Sequence, residues 1–355
     1  MYSVGYKAVG PSFVVSQHVV RGEVIIGDTS HRRGCMDNHF RSQAISHKIV
    51  HMKNRKACLS PLHESRELSM IHPQPIVAVG ATALSIVHHT SGLLFVDKPP
   101  GFGFHHEEEG SPGVLPMLRD MQRRGELEFS GRLFSVHRLD RVTSGLLMVA
   151  KSAAAAREAS ELLRDRRLHK YYVALSARKP AKKMGRVSGD MERSRRGQWK
   201  LLRSLENPAV TVFTSEALTQ DATEEGPTGQ PLRAFVLKPL TGRTHQLRVA
   251  MKCLGSPVLG DTLYAAADDA KREERAYLHS AALRIPAGCM HLSDDGAPIE
   301  VVCTPTIGSK FTSAAFASTW ARWFSEAADL QGASLGRTWF ESTPVASELS
   351  LGARL

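Results

Sequence analysis

Phe134-Ser-Val-His-Arg-Leu-Asp-Arg-Val-Thr-Ser-Gly-Leu-Leu-Met-Val-Ala-Lys151 divides into a polar half and an apolar half. His137, Arg138, Asp140, Arg141, Thr143 and Ser144 crowd together ahead of Leu146 to Ala150, a run with the length and bounding of a buried strand. The polar group therefore falls at a strand entrance. A carboxylate bracketed by Arg138 and Arg141 is favoured in its charged form by these neighbours, while the strand fixes its place. Asp140 is thus a candidate nucleophile or base. The alternative is a structural ion pair with Arg138 or Arg141.

Upstream, Ile86 to Val96 reads as two short strands joined by a polar turn at Thr90-Ser91-Gly92. Asp97-Lys98-Pro99-Pro100-Gly101 ends the second strand with proline and glycine, and reads as a loop. Two look-alikes follow. Gly101-Phe102-Gly103 opens like a dinucleotide loop, but His106 stands at the third glycine position and no helix pattern follows. His105 and His106 with Glu107 to Glu109 suggest metal, yet neighbours on an extended chain point to opposite sides, so a solvated loop is the better reading.

Downstream, Ser152 is placed to cap a helix over about residues 153–167, with Ala155, Ala159, Leu162 and Leu163 inward and Arg164, Arg166 and Arg167 at its C-terminal dipole. Lys170 to Leu175 reads as a strand, in which a lone tyrosine ordinarily packs in the core. Residues 178–203 hold ten basic side chains against two acids, with Gly185, Gly189, Gly197 and Trp199 interspersed. This predicts a flexible basic loop that either grips phosphates or is simply solvated. Asn207 to Thr211 returns to a strand, residues 219–230 form a polar excursion, and Arg233 to Pro239 reads as an edge-like strand ended by proline. Leu247, Ala250, Met251 and Leu254 give a helix ended by Gly255, with Arg248 and Lys252 together on a cation-presenting face. Phe316, Trp320, Trp323 and Phe324 predict one more packing helix.

The chain of 355 residues is long enough for a substantial core, and 42% hydrophobic content is that of an ordinary globular protein. Lysine plus arginine number 46 against 35 acids, a formal charge of +11 that suits a polyanion such as nucleic acid. Five scattered cysteines without a C-x-x-C pair argue against a disulfide scaffold or structural zinc. No apolar run is long enough to span a membrane.

Residues 1–80 read as a poorly ordered basic extension. Its first sixty residues carry nine basic side chains against three acidic ones. They fit a transit-like segment, which would send the protein to mitochondria or plastids, or a start misplaced upstream of Met52 or Met70, which would leave it cytoplasmic. Residues 81–330 would form the catalytic domain and 331–355 a tail.

His137-Arg138-Leu139-Asp140 with Thr143-Ser144-Gly145-Leu146-Leu147 and Ala150-Lys151 resembles the active-site motif of the RluA-type pseudouridine synthases. So do Lys98-Pro99-Pro100-Gly101, Lys170-Tyr171-Tyr172-Val173-Ala174-Leu175, Thr241-Gly-Arg-Thr-His-Gln-Leu-Arg248, Gly255-Ser-Pro-Val-Leu-Gly-Asp-Thr-Leu-Tyr264 and Leu278-His279, in the family's order from about Ile86 to Val302. The resemblance implies an α+β fold: a long, mixed, mostly antiparallel sheet with flanking helices and a central RNA-binding cleft. It implies that Asp140, Tyr172 and Arg248 are catalytic, with Arg248 pairing with Asp140 and Arg243 as second choice for that role. His137, Arg138, Arg141, Arg243, His245 and Lys252 would contact substrate RNA, and Arg138 would fill the space a flipped base leaves. Asp261 would be structural.

The implied reaction breaks the glycosidic bond of a uridine in rRNA or tRNA, turns the base and forms a carbon bond. It requires no metal or cofactor, and the implied enzyme is a monomer acting on RNA. The target uridine has to leave its stack to reach the Asp. A catalytically silent RNA-binding relative is the alternative. A nuclease or glycosidase would ask for a second carboxylate or a metal, and Asp261 is its best candidate.

Overall fold

The computed structural model describes residues 16–20, 23–27, 84–104, 113–218 and 231–324. The chain divides into two compact units, Met1–Glu67 and Leu68–Leu355. In the first, β1 (Ser16–Val20) pairs antiparallel with β2 (Glu23–Gly27). Val19, Val20, Val24, Ile25 and Ile26 are β-branched, a composition that favours strand. The remainder of 1–80, residues 105–109, the 219–230 excursion and the 331–355 tail lie outside the described residues.

The second unit begins with β3 (Ser85–His89) and β4 (Leu93–Lys98), the expected hairpin, followed by α1 (Val114–Arg123), β5 (Phe134–Ser135) and β6 (Ser144–Ala150). Next come α2 (Ala153–Arg164), β7 (His169–Ser176), β8 (Met184–Gly189), β9 (Met191–Arg193), β10 (Trp199–Leu201), β11 (Ala209–Ala217) and β12 (Arg233–Pro239). Then follow α3 (Gln246–Cys253), α4 (Ala267–Lys271), β13 (Leu278–Ile285), β14 (Ile299–Val302) and α5 (Ala314–Phe324). One sheet runs β3-β4-β6-β13-β7-β12-β11-β8, with β5 also on β6 and β14 also on β13. Among the described residues, its one parallel strand pair is β6 with β13. The fold is α+β with a long, mixed, mostly antiparallel sheet, as expected.

Every residue of β6 is buried, because both faces of the sheet are covered. Leu147 and Val149 enter a cluster with Tyr172, Phe235, Leu247 and Met251, while Leu146, Met148 and Ala150 face Ala155, Ala159 and Leu162 of α2. Two-residue alternation thus serves two cores, each large side chain contributing about 1.5–3 kcal/mol. On β7, Val173 and Leu175 pack with Phe316 and Trp323 of the expected C-terminal helix. Gly145 sits where β6 meets β13, with φ 98°; a Cβ there would lie 2.3 Å from the Ser280 carbonyl oxygen. Only glycine admits that approach.

Ser152 Oγ accepts the Ala155 N–H at 3.1 Å, the expected cap. The helix stops at Arg164, however, so of the three arginines only this one lies in its last turn. Two further expectations change. β12 lies between β7 and β11, not at an edge; Pro239 is tolerated because it is the strand's last residue. The basic segment is not one free loop: β8 forms a sheet edge against β11, and β9 pairs with β10 as a hairpin. Basic side chains are a common feature of exposed edges, which they protect from further pairing.

Candidate active site

Three ties hold the loop between β5 and β6. Gly101 N–H donates to the Arg141 carbonyl at 2.7 Å, and Arg141 Nε donates back to the Gly101 carbonyl at 2.9 Å. Lys98, 1% exposed, donates Nζ to the carbonyls of Pro99 and Phe102 at 2.8 and 2.9 Å and reaches that of Arg141 at 3.3 Å. Burial, followed by the nearby charge of Arg275, pushes the Lys98 pKa down to about 7, against the opposing pull of Asp140 and Asp97. From the other side, His137 Nε2 accepts the Met148 N–H at 3.0 Å, and burial lowers its pKa to about 3. The imidazole is therefore committed to the sheet as a brace of the loop.

Asp140 sits in this frame with 21% of its side chain exposed. Neither sequence neighbour brackets it in an ion pair: Arg141 is turned to Gly101, and Arg138 is exposed. Its cation comes from α3. Arg248 Nη1 lies 3.5 Å from Asp140 Oδ2, while Nε and Nη2 grip Asp261 at 2.8 and 2.7 Å. Asp261 is fully buried and Arg248 nearly so. Burial alone would lower the Arg248 pKa, but the hydrogen bonds and charge of Asp261, with Asp140 adding, turn the shift upward. The expected cation-presenting face is corrected accordingly. Arg248 points inward and only Lys252 is exposed, because an i, i+4 pair is separated when one member meets a buried carboxylate.

The start of α3 is fixed by Gln246, whose Oε1 accepts from Thr241 Oγ1 and Arg243 N–H at 2.7 and 2.9 Å. Its Nε2 donates to the Val210 carbonyl and Thr211 Oγ1 of β11 at 2.9 and 3.0 Å. His245 precedes it with φ 57°, a left-handed backbone that few residues besides glycine, asparagine, aspartate and histidine adopt, and its Nδ1 lies 2.8 Å from Tyr264 Oη. Burial lowers its pKa, the charge of Asp140 opposing. Tyr172 on β7 lies across from Ser280 of β13. Burial raises its phenol pKa, and Asp140 is near enough to add to the shift. Asp140, Tyr172, Arg248 and His245 therefore converge.

The remaining expected contacts are peripheral. Arg243 reaches the side chain of Asn207 and is exposed. Lys252 sits 5.6 Å from the centre of the Tyr264 ring. The arrangement sets a partly exposed carboxylate, held on three sides, against an anchored guanidinium and a buried phenol. It suits nucleophilic or base chemistry on a small group entering from solvent.

Three residues outside the expected catalytic and RNA-contacting set frame the site. Lys98 reads as part of a proline-glycine loop, and only its burial reveals its role. Asp261 reads as structural; its bidentate hold on Arg248 makes it the group that aims the cation. Tyr264 carries the motif's last position, and its spacing from Asp261 was the available signal.

Residues 92–252 match the family model described as RNA pseudouridylate synthase. An uncharacterized RNA pseudouridine synthase of Haemophilus influenzae is 38% identical over 225 residues, 63% of this chain and 89% of that protein. The dual-specificity RNA pseudouridine synthase RluA of Salmonella typhi is 33% identical over 205 residues, 57% of this chain and 86% of that protein. Among solved structures, human RNA pseudouridylate synthase domain containing 1 is 31% identical, covering 63% of this chain and 83% of that one with a TM-score of 0.49. At 38% identity across 89% of one RNA pseudouridine synthase and 33% across 86% of RluA, the chain belongs to the RluA-type RNA pseudouridine synthases.

Proposed function

We propose that the protein isomerises particular uridines of structured rRNA or tRNA to pseudouridine, as a monomer, with Asp140 acting on the sugar or the base ring. The observation that carries this is the Asp140–Arg248 contact at 3.5 Å, backed by the buried Arg248–Asp261 pair, in a member of this family. Arg248 offsets the charge that shifts between carboxylate and substrate, and Tyr172 packs against the base or moves a proton. The uridine enters flipped, at a cost of a few kcal/mol for unstacking. Arg138, exposed beside Asp140, fills the vacated space. Arg141, Arg243, Lys252 and the exposed Arg193, Arg195 and Arg196 hold phosphates along the RNA.

The test is tritium release from RNA carrying 5-tritiated uridine, made in cells lacking the enzyme. Wild type should release tritium and Asp140→Asn none, with RNA affinity changed by no more than a few-fold. Near-normal turnover by Asp140→Asn would remove Asp140 from the role of nucleophile. RNA binding without release by either protein would favour a silent relative.

A further inference from the structure

One tyrosine joins the basic hairpin to the ion pair at Asp140. Tyr264 is 5% exposed, and its hydroxyl has two partners: it accepts the Trp199 backbone N–H of β10 at 2.8 Å and meets His245 Nδ1 at 2.8 Å. With Trp199 donating, the phenol proton is available to Nδ1. The ring carries the Arg248 guanidinium 5.0 Å from its centre and stands edge-on to His245 at 5.7 Å. A second strut runs alongside, since Gln198 Nε2 donates to the Leu263 carbonyl at 2.7 Å. Arg193, the register partner of Trp199, and Arg195 and Arg196 in the turn before Gln198 are exposed and, among the described residues, have no carboxylate partner.

Two observations set this apart from ordinary packing. A tyrosine held for its ring alone needs no hydroxyl, and burying one costs free energy unless it is bonded. Here both bonds lead to elements of the site. The β9 and β10 strands are also only three residues each; backbone bonds between Asp190 and residues 202 and 204 tie their root, so the place of the hairpin beyond that root depends on such anchors.

We propose that Tyr264 is a positioning residue that latches the β9–β10 hairpin to His245 and Arg248, so that RNA gripped by the hairpin sets the geometry of the Arg248–Asp140 pair. This rests on the RNA-modifying function proposed above. A hairpin drawn toward RNA pulls on the Trp199 N–H, and the displacement reaches His245 through the phenol oxygen and the guanidinium through the ring face. Misplacement by about 1 Å is enough to change rates by a hundredfold.

Tyr264→Phe keeps the ring, its packing and its cation contacts while removing both hydrogen bonds. In the free protein, amide exchange across 191–201 should rise about tenfold, the equivalent of a lost anchor. In RNA binding, the slope of log Kd against log salt should fall by about one although no charge has been removed, because the hairpin cations no longer track the phosphates. In turnover, kcat/KM should fall by roughly fivefold to tenfold, with kcat lowered as well as KM raised, and in an Arg195→Ala/Arg196→Ala background the same substitution should cost less than about twofold. Unchanged exchange and salt slope, or losses that simply add, would overturn the latch. A wild-type protein that releases no tritium would instead sink the proposed reaction, while exchange and binding would still decide the latch.

Discussion

Arg248 meets Asp140 with a single nitrogen, Nη1 at 3.5 Å, because its other donors Nε and Nη2 are spent on Asp261. The bidentate grip fixes the plane of the guanidinium, and the direction of Nη1 follows from it. Asp261→Asn should therefore lower turnover at least tenfold with Asp140 intact, since the charged anchor is replaced by an amide that can face only part of the fork. Loss of one partner from this buried pair should also cost about 3 kcal/mol of stability. Single-turnover tritium release and urea unfolding measure the two effects, and a fully active Asp261→Asn protein would show that Arg248 is aimed by something else.

Arg243 has a different place. It is exposed, holds Asn207 and makes no contact with Asp140 among the described residues. Arg243→Ala should weaken RNA binding a few-fold and reduce the salt slope by about one, leaving kcat within about twofold. A collapse of kcat would transfer the catalytic cation from Arg248 to Arg243.

Gly145→Ala tests the join beneath the site. The new methyl would meet the Ser280 carbonyl at 2.3 Å in a backbone at φ 98°, so two separate penalties fall on one residue. A loss above about 4 kcal/mol is expected, the range of severe core lesions. Thermal unfolding would show it, and a melting temperature within a few degrees of wild type would mean that β6 and β13 separate easily.

Behind the site, Ser144 Oγ accepts from Arg275 Nη2 at 2.7 Å and lies 2.8 Å from His279 Nδ1, while His279 Nε2 reaches the Cys303 carbonyl at 2.8 Å. Burial drives the His279 pKa down to about 3. Between pH 6.5 and 3 the unfolded chain takes up a proton that folded His279 refuses, so stability is full above that window and falls as pH drops through it. Each such histidine contributes about 1.4 kcal/mol per pH unit. His137 acts in the same direction, whereas Asp97, raised by burial to about 6, keeps its proton in the fold and opposes them from pH 6 to 3.8. His279→Gln should flatten the dependence of urea midpoints between pH 4 and 6 by about one proton. Parallel curves for the two proteins would place the acid sensitivity elsewhere.

The chain itself announced a great deal. Apolar runs with strand length, a serine ahead of an alanine-rich helix and residues spaced at i, i+3 and i+4 produced β6, α2 and α3 where periodicity put them. Motif order marked Asp140, Tyr172 and Arg248, which the fold brings together from β6's entrance, β7 and α3. Local pattern carries such information because helices and strands bury faces whose period is written in adjacent residues.

What only the tertiary structure decided is who pairs with whom. Asp140 stands between two arginines in sequence, yet its partner is more than a hundred positions away, because Arg141 is turned to Gly101 and Arg248 is aimed by Asp261. Lys98 reads as a loop residue, but its burial against three carbonyls places it in the frame of the site, and β12 reads as an edge although β7 and β11 lie on either side. The physical reason is common to all three. A charge's partner and a strand's neighbours depend on distance and burial across the fold, and hydrophobic spacing along the chain records which side of an element is covered but not what covers it.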